Sequence, residues 1–341
     1  MSHPDAPRAV VFGCAGKVLT DEERAFFAEA DPLGFILFAR NVETPDQVRA
    51  LVADLRVSVG RPDAPVLIDQ EGGRVQRLRP PHWTSISPMR RFGELAEKNL
   101  EQGNEAVLLA ARLIAEELRD LGIDVDCAPV LDLPAPDGHE IIGDRAFSHD
   151  PAIIAALGRA VCEGLAGGGV MPVIKHIPGH GRATADSHLE LPRVDTPLAT
   201  LRETDFRPFR ALSDAASGMT AHIVYSAIDP ERPCSASPKV IGEIIRGELG
   251  FDGLLFSDDV CMKALSGPLG ERAEAVLSAG CDVALHCDGN LADMREIART
   301  CPPMRADSLV RLARGRPPEP DSAAFDPELA KARISALLGA V

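Results

Sequence analysis

Short runs of consecutive apolar residues alternate with longer amphipathic stretches along nearly the whole chain. The runs are AVVFG (9–13), GFILFA (34–39), PVLID (65–69), VDCAPVLDL (125–133), VMPVIKH (170–176), GMTAHIVY (218–225), GLLFSDD (253–259) and CDVALHCD (281–288). Near-continuous hydrophobicity suits strands covered on both faces, the mark of a parallel sheet. The stretches between them read as helices. TPDQVRALVADLRVSV begins on a Thr44 cap with Pro45 at the first helical position, and NEAVLLAARLIAEELRDLG stops on Gly122. SPKVIGEIIRGELG repeats the Ser–Pro start and the Gly finish. The eight runs and their helices predict a single α/β domain, a (β/α)8 TIM-type barrel over residues 1–300. An open doubly wound sheet is the alternative, weakened by the lack of a Gly-x-Gly-x-x-Gly turn after the first strand. Residues 301–341 read as a Pro-rich linker and a helical tail packed on the barrel, not as a second domain.

A barrel of this kind works at the C-terminal ends of its strands. Those ends carry Asp69, Asp132, Lys175, His176, His222, Asp258, Asp259, His286 and Asp288. Any one of them alone is most simply a cap or a loop charge. Their shared register with the strand ends argues for a site. Alternation along the strand turns Asp259 away from the mouth if Asp258 faces it. Asp132 reads as a structural carboxylate, His180 as a loop brace, and His286 and Asp288 as rim residues. His222 suits the pocket wall and the core equally well.

The densest chemistry lies in KHIPGHGRATADSH, residues 175–188, with three histidines and one aspartate. Two readings compete. His176 and His180 have the spacing of a helical zinc site, and a metal-dependent hydrolase on the same barrel is the alternative function. Pro178 and Gly179 between them oppose a helical turn, and no Glu follows His176. The other reading pairs Asp186 with His188. Two residues apart in an extended segment, their side chains share a face, and the carboxylate favours and orients a protonated imidazole. That arrangement needs neither metal nor cofactor.

KHIPGHGRATADSHLELP closely resembles the signature of bacterial β-N-acetylglucosaminidases of glycoside hydrolase family 3. So do DQEGGRVQRL (69–78), APVLDL (128–133), IIGDRAFSHD (141–150) and GLLFSDDVCMKAL (253–265), in family order. Ile177, where Phe is usual, and Val260–Cys261 after the acidic pair depart from the commoner motif. The resemblance implies retaining cleavage of terminal β-linked N-acetylglucosamine, with Asp258 as nucleophile and His188 as general acid and base beside Asp186. It implies that Asp69, Arg77, Arg145, Lys175 and His176 hold the sugar. It also implies a muropeptide-derived substrate, released during peptidoglycan recycling. A histidine acid departs from the usual pair of carboxylates, but the roles survive.

Composition narrows the partners. The 341 residues are 45% hydrophobic and carry a formal net charge of −15, which disfavours nucleic acid and anionic membranes. One Trp and one Tyr leave little for a long aromatic platform. The eight cysteines show no Cys-x-x-Cys and are expected to be reduced and mostly buried. The N-terminal stretch has only four consecutive apolar residues, Ala9 to Phe12, and no run approaches a membrane span. A cytoplasmic monomer acting on a small sugar, with no cofactor, is the expectation.

Overall fold

The computed structural model describes residues 6–135, 138, 140–183, 191–320 and 325–339. Twelve strands run through these residues: β1 (Arg8–Gly13), β2 (Pro32–Leu37), β3 (Val66–Ile68), β4 (Gln70–Gly72), β5 (Val75–Gln76), β6 (Val125–Asp126), β7 (Met171–Ile177), β8 (Arg193–Val194), β9 (Ser217–Thr220), β10 (Val224–Tyr225), β11 (Leu254–Asp259) and β12 (Val283–His286). Eight of them close a barrel in the order β1-β12-β11-β9-β7-β6-β3-β2. Every pairing within it is parallel. The expected (β/α)8 architecture is therefore present, with one barrel strand for each apolar run. β4–β5 and β8–β10 are separate two-stranded sheets, the first antiparallel and the second parallel.

Two runs are shorter as strands than their hydrophobicity suggests. The run 125–133 keeps regular pairing only at Val125–Asp126, because Pro129 has no N–H to give the ladder. Pairing then resumes irregularly: Leu131 N donates to Lys175 O at 2.7 Å, and Lys175 N to Pro129 O at 3.0 Å. The run 218–225 leaves the barrel after Thr220, and Val224–Tyr225 instead pair with Arg193–Val194. The apolar character of Ala221–Tyr225 belongs to a buried loop at the barrel mouth.

Local signals explain the surrounding helices. Thr44 accepts from Gln47 N and Pro45 opens the helix Pro45–Ser58, which buries Val48, Leu51, Val52 and Leu55. Leu100–Asp120 ends ahead of Gly122, whose φ of +79° suits only glycine well. The segment after Ser237–Pro238 winds as a π-helix over Val240–Glu248.

The chain beyond residue 300 is tied to the barrel by charge and by packing. Asp282, buried just before β12, accepts from Leu255 N at 2.9 Å and Arg246 Nη2 at 2.8 Å. Its other oxygen takes Ser308 Oγ at 2.5 Å, Arg305 Nη2 at 3.1 Å and Arg311 Nη1 at 3.2 Å, all from the helix Ala306–Gly315 or its cap. The last helix, Pro327–Leu338, buries Ala330, Leu337 and Leu338 and pairs Arg333 with both oxygens of Glu105. Asp282→Ala leaves Arg246 without its carboxylate and strands the Leu255 N–H. It is expected to destabilise the fold by about 3–5 kcal/mol in denaturant unfolding. A change near zero would mean that the tail is held without this hub.

Candidate active site

The cavity at the barrel mouth is assembled from strand ends and the loops that follow them. Asp69 follows β3, and the β4–β5 hairpin turns the chain back so that Arg77 Nη2 donates to Asp69 Oδ2 at 2.9 Å. That turn depends on Gly72 and Gly73, at φ +98° and +54°. A Cβ on Gly72 would also lie 2.9 Å from Ser87 O. Lys175, on β7, is 2% exposed and donates from Nζ to Asp69 Oδ1 and Glu71 Oε1, each at 2.7 Å. Arg145, from the short helical turn Gly143–Arg145, binds both oxygens of Glu71 at 2.8 Å.

This network sets the protonation states. Burial works to raise the Asp69 and Glu71 carboxyls, but the adjacent cations outweigh it. Asp69 is held well below its ordinary range by Lys175 and Arg77, and Glu71 falls to about 2 beside Arg145 and Lys175. Lys175 is likewise raised despite burial, because two carboxylates face it. Asp126 lies deeper in the barrel, with Asp69 and Glu71 as anionic neighbours. Burial lifts its carboxyl to about 7 against the single bond from Gln70 N.

Asp132 organises the next stretch. Fully buried, it accepts from His176 Nδ1 at 2.7 Å, His176 N at 3.2 Å and His180 N at 2.6 Å. It thus fixes the His176 ring through Nδ1 and closes the turn Pro178–His180. Burial and the neighbouring His176 push the His180 imidazole down to about 4, which suits a neutral loop brace. His222 proves to be a satisfied core histidine: Nδ1 meets Ser235 Oγ at 2.6 Å and Nε2 meets Asp259 O at 3.0 Å. Burial lowers its pKa.

Asp258, next to last in β11, lines the same cavity. Burial alone would raise its carboxyl. The nearby histidines and the bond from Asp259 N at 2.8 Å bring it below the ordinary aspartate value. The cavity holds about 210 Å³ and is lined by Asp69, Arg77, Arg145, Lys175, His176 and Asp258. Six of the eight expected site residues therefore converge. The other two, Asp186 and His188, lie outside the described residues.

Asp259 departs from the expectation. The pairing of β11 with β12 shifts register between Phe256 and Asp259, which breaks simple alternation and brings Asp259 to the cavity wall. There Asp259 Oδ1 accepts from Cys261 N at 3.0 Å and Cys287 N at 3.2 Å, joining two loops. Glu71 is the residue that sequence reasoning passed over. Its position two after Asp69 marks it as part of an acidic pair, but its pairing with Arg145 crosses 74 residues of chain. The cysteines are unpaired among the described residues, six buried and two half-buried, as expected. No helix among the described residues is long and apolar enough to cross a membrane.

The cavity thus offers paired cations and carboxylates suited to a hydroxyl-rich ligand, with the Asp258 carboxylate on its wall. A model of the glycosyl hydrolase family 3 N-terminal domain matches residues 14–302. The chain is similar to a β-hexosaminidase of Bordetella avium, 39% identical over 311 residues, which are 90% of this chain and 88% of that one. A β-hexosaminidase of Nitrosomonas eutropha is 40% identical over 278 residues, 80% and 79% of the two chains. Among solved structures, NagZ from Neisseria gonorrhoeae in complex with N-trifluoroacetyl-D-glucosamine is 32% identical, with a TM-score of 0.87 and 98% of each chain covered. The barrel, the match over most of its length and the identity to these relatives agree, and the chain belongs to glycoside hydrolase family 3.

Proposed function

We propose that the protein is a retaining exo-β-N-acetylglucosaminidase that forms a covalent glycosyl–Asp258 intermediate. The observation that carries the reading is one cavity in which Asp258 faces the Asp69–Lys175–Arg77–Arg145 cradle. Its volume of about 210 Å³ equals the share of roughly seven waters, the scale of one sugar ring rather than a chain. The naming of relatives as β-hexosaminidases, and a relative's complex with an N-acylglucosamine, support the substrate class.

In this mechanism Asp69 accepts from sugar hydroxyls while Arg77, Arg145, Lys175 and His176 donate to sugar oxygens. Asp258 attacks the anomeric carbon as His188 gives its proton to the leaving oxygen, producing a glycosyl ester and a free alcohol. His188 then takes a proton from water, which attacks the same carbon and releases Asp258. Asp186 would hold His188 in the protonated, oriented form. Glu71 is a positioning residue, since it acts through Lys175 and Arg145. The substrate we propose is a muropeptide-derived fragment, hydrolysed by a cytoplasmic monomer.

Glu71→Gln removes one charge-assisted partner from each of two cations. It is expected to raise KM about tenfold with a smaller loss in kcat, consistent with one such bond at ~1.5–3 kcal/mol. A loss confined to kcat would place Glu71 in the chemistry instead. Because Asp258 is held below its ordinary value, it stays ionised as pH falls through neutrality. The acidic limb of kcat/KM should therefore lie below about pH 4. A limb centred at pH 5 or above would contradict the ionised nucleophile. A fluorinated N-acetylglucosamine analogue with a good leaving group should trap the ester, and peptide mapping should place it on Asp258. Asp258→Ala should abolish labelling while Asp259→Asn retains it. Label on Asp259, or an oxazoline product with no label, would overturn the assignment.

A further inference from the structure

A second set of ligating side chains sits on the barrel rim beside the cavity. β11 and β12 are adjacent parallel strands, so the loops leaving their C-terminal ends run side by side. Cys261 lies two residues past β11, His286 ends β12, and Asp288 follows two residues later. One ligand atom from each lies within 4.8 Å of the others, the one such trio among the described residues. Cys261 Sγ is 3.7 Å from Asp288 Oδ2, and His286 Nε2 is 3.1 Å from Asp288 Oδ1.

Cys261 Sγ donates directly to Asp288 Oδ2, and the same three side chains lie close enough to share an ion. Around tetrahedral zinc, with Zn–S about 2.3 Å and Zn–N or Zn–O about 2.0–2.1 Å, ligand pairs lie about 3.3–3.6 Å apart. The two separations, each to a different Asp288 oxygen, lie close to that range. His286 is fully buried, yet neither ring nitrogen makes a hydrogen bond. Its Nε2 lies at ion-pair distance from Asp288 Oδ1. A fully buried imidazole with no hydrogen bond calls for a partner.

The supporting structure is rigid. The His286 ring stands edge-on to Phe12 at 5.8 Å. Asp288 Oδ1 accepts from Asn290 N at 2.7 Å, and a Cβ on Gly289 would come within 2.5 Å of the Cys14 backbone. Asp259, through Cys261 N and Cys287 N, ties both loops together. Asp259, Asp288 and Asp293 add negative charge around Cys261. Cys261 and Asp288 retain solvent access, so an ion has a way in and an open position for water.

We propose that Cys261, His286 and Asp288 bind a divalent cation of the zinc class at the rim of the active-site mouth. The mixed sulfur, nitrogen and oxygen set selects a borderline-soft ion over magnesium or calcium. The proposed ligands do not include the histidines of the 176–188 stretch, and the proposal does not depend on the proposed hydrolytic mechanism.

The test uses the full-length, reduced protein, stripped with chelator and titrated with Co²⁺ and then Zn²⁺. One equivalent of Co²⁺ should give thiolate-to-cobalt charge-transfer absorption that Zn²⁺ abolishes by displacement. Cys261→Ser should remove that absorption, and Asp288→Asn should weaken binding by more than about tenfold. Circular dichroism should confirm that both variants fold. His188→Ala, which disrupts the histidine cluster, should leave the signal intact. The proposal is overturned if no thiolate band appears, if it survives Cys261→Ser, or if His188→Ala is the variant that removes it. None of these readouts is turnover, so the outcome is independent of whether the enzyme cleaves N-acetylglucosaminides.

Discussion

The Lys175 ammonium, sealed at the barrel mouth between two carboxylates, is the constraint around which the site is arranged. Its burial costs several kcal/mol unless partners replace water. Asp69 and Glu71, both 2.7 Å away, supply attractions of about 4 kcal/mol or more each at an effective dielectric near 20. Those carboxylates in turn need cations of their own. Arg77 serves Asp69 and Arg145 serves Glu71, so one buried charge recruits the β4–β5 hairpin and the 141–145 loop to the same wall. The cluster of three cations and two carboxylates carries one net positive charge.

The barrel tolerates this only because its ladders break where the polar residues begin. The register shifts between Lys175 and Ile177 on β7, and between Phe256 and Asp259 on β11, fall at the C-terminal ends. A shift there re-aims successive side chains without disturbing the apolar layers below. Two of the carboxylates at these ends are held largely by backbone groups. Asp132 takes one main-chain N–H from the end of β7 and one from the turn after it, and Asp259 takes two from the loops after β11 and β12. These carboxylates hold loops in place so that neighbours one or two residues away can face the cavity.

The sequence made the barrel legible because its core strands are covered on both faces, and unbroken apolar runs mark such strands without ambiguity. It did not reveal where pairing stops within a run. Pro129 and the turn at Ala221 end regular ladders inside hydrophobic stretches, where burial in a loop and burial in a strand look alike. For the site, residue type and position at strand ends brought out Asp69, Lys175, His176 and Asp258, and motif resemblance added Arg77 and Arg145. Glu71 was not singled out, because its importance lies in a pairing with Arg145 distant in sequence. Asp259 was misplaced by a rule of alternation that a register shift suspends. The Cys261–His286–Asp288 trio was invisible for a similar reason: three unremarkable rim residues meet only because β11 and β12 are neighbours.

The division between strand and loop also follows the chemistry proposed for each residue. A nucleophile must meet one carbon along one line, and a misplacement of about 1 Å can cost a hundredfold in rate. Asp258 accordingly sits on β11, fixed by its own strand and by Asp259 N. A proton donor faces a different demand, since it must serve the leaving oxygen first and the incoming water afterwards, from slightly different positions. Asp186 and His188 come six and eight residues after His180, beyond the turn that Asp132 anchors through His176 and His180. Asp132 thereby fixes where that segment starts relative to the cavity. The same carboxylate that orients His176 at the cavity therefore also holds the turn from which the chain leads on toward the residues proposed as proton donor and partner.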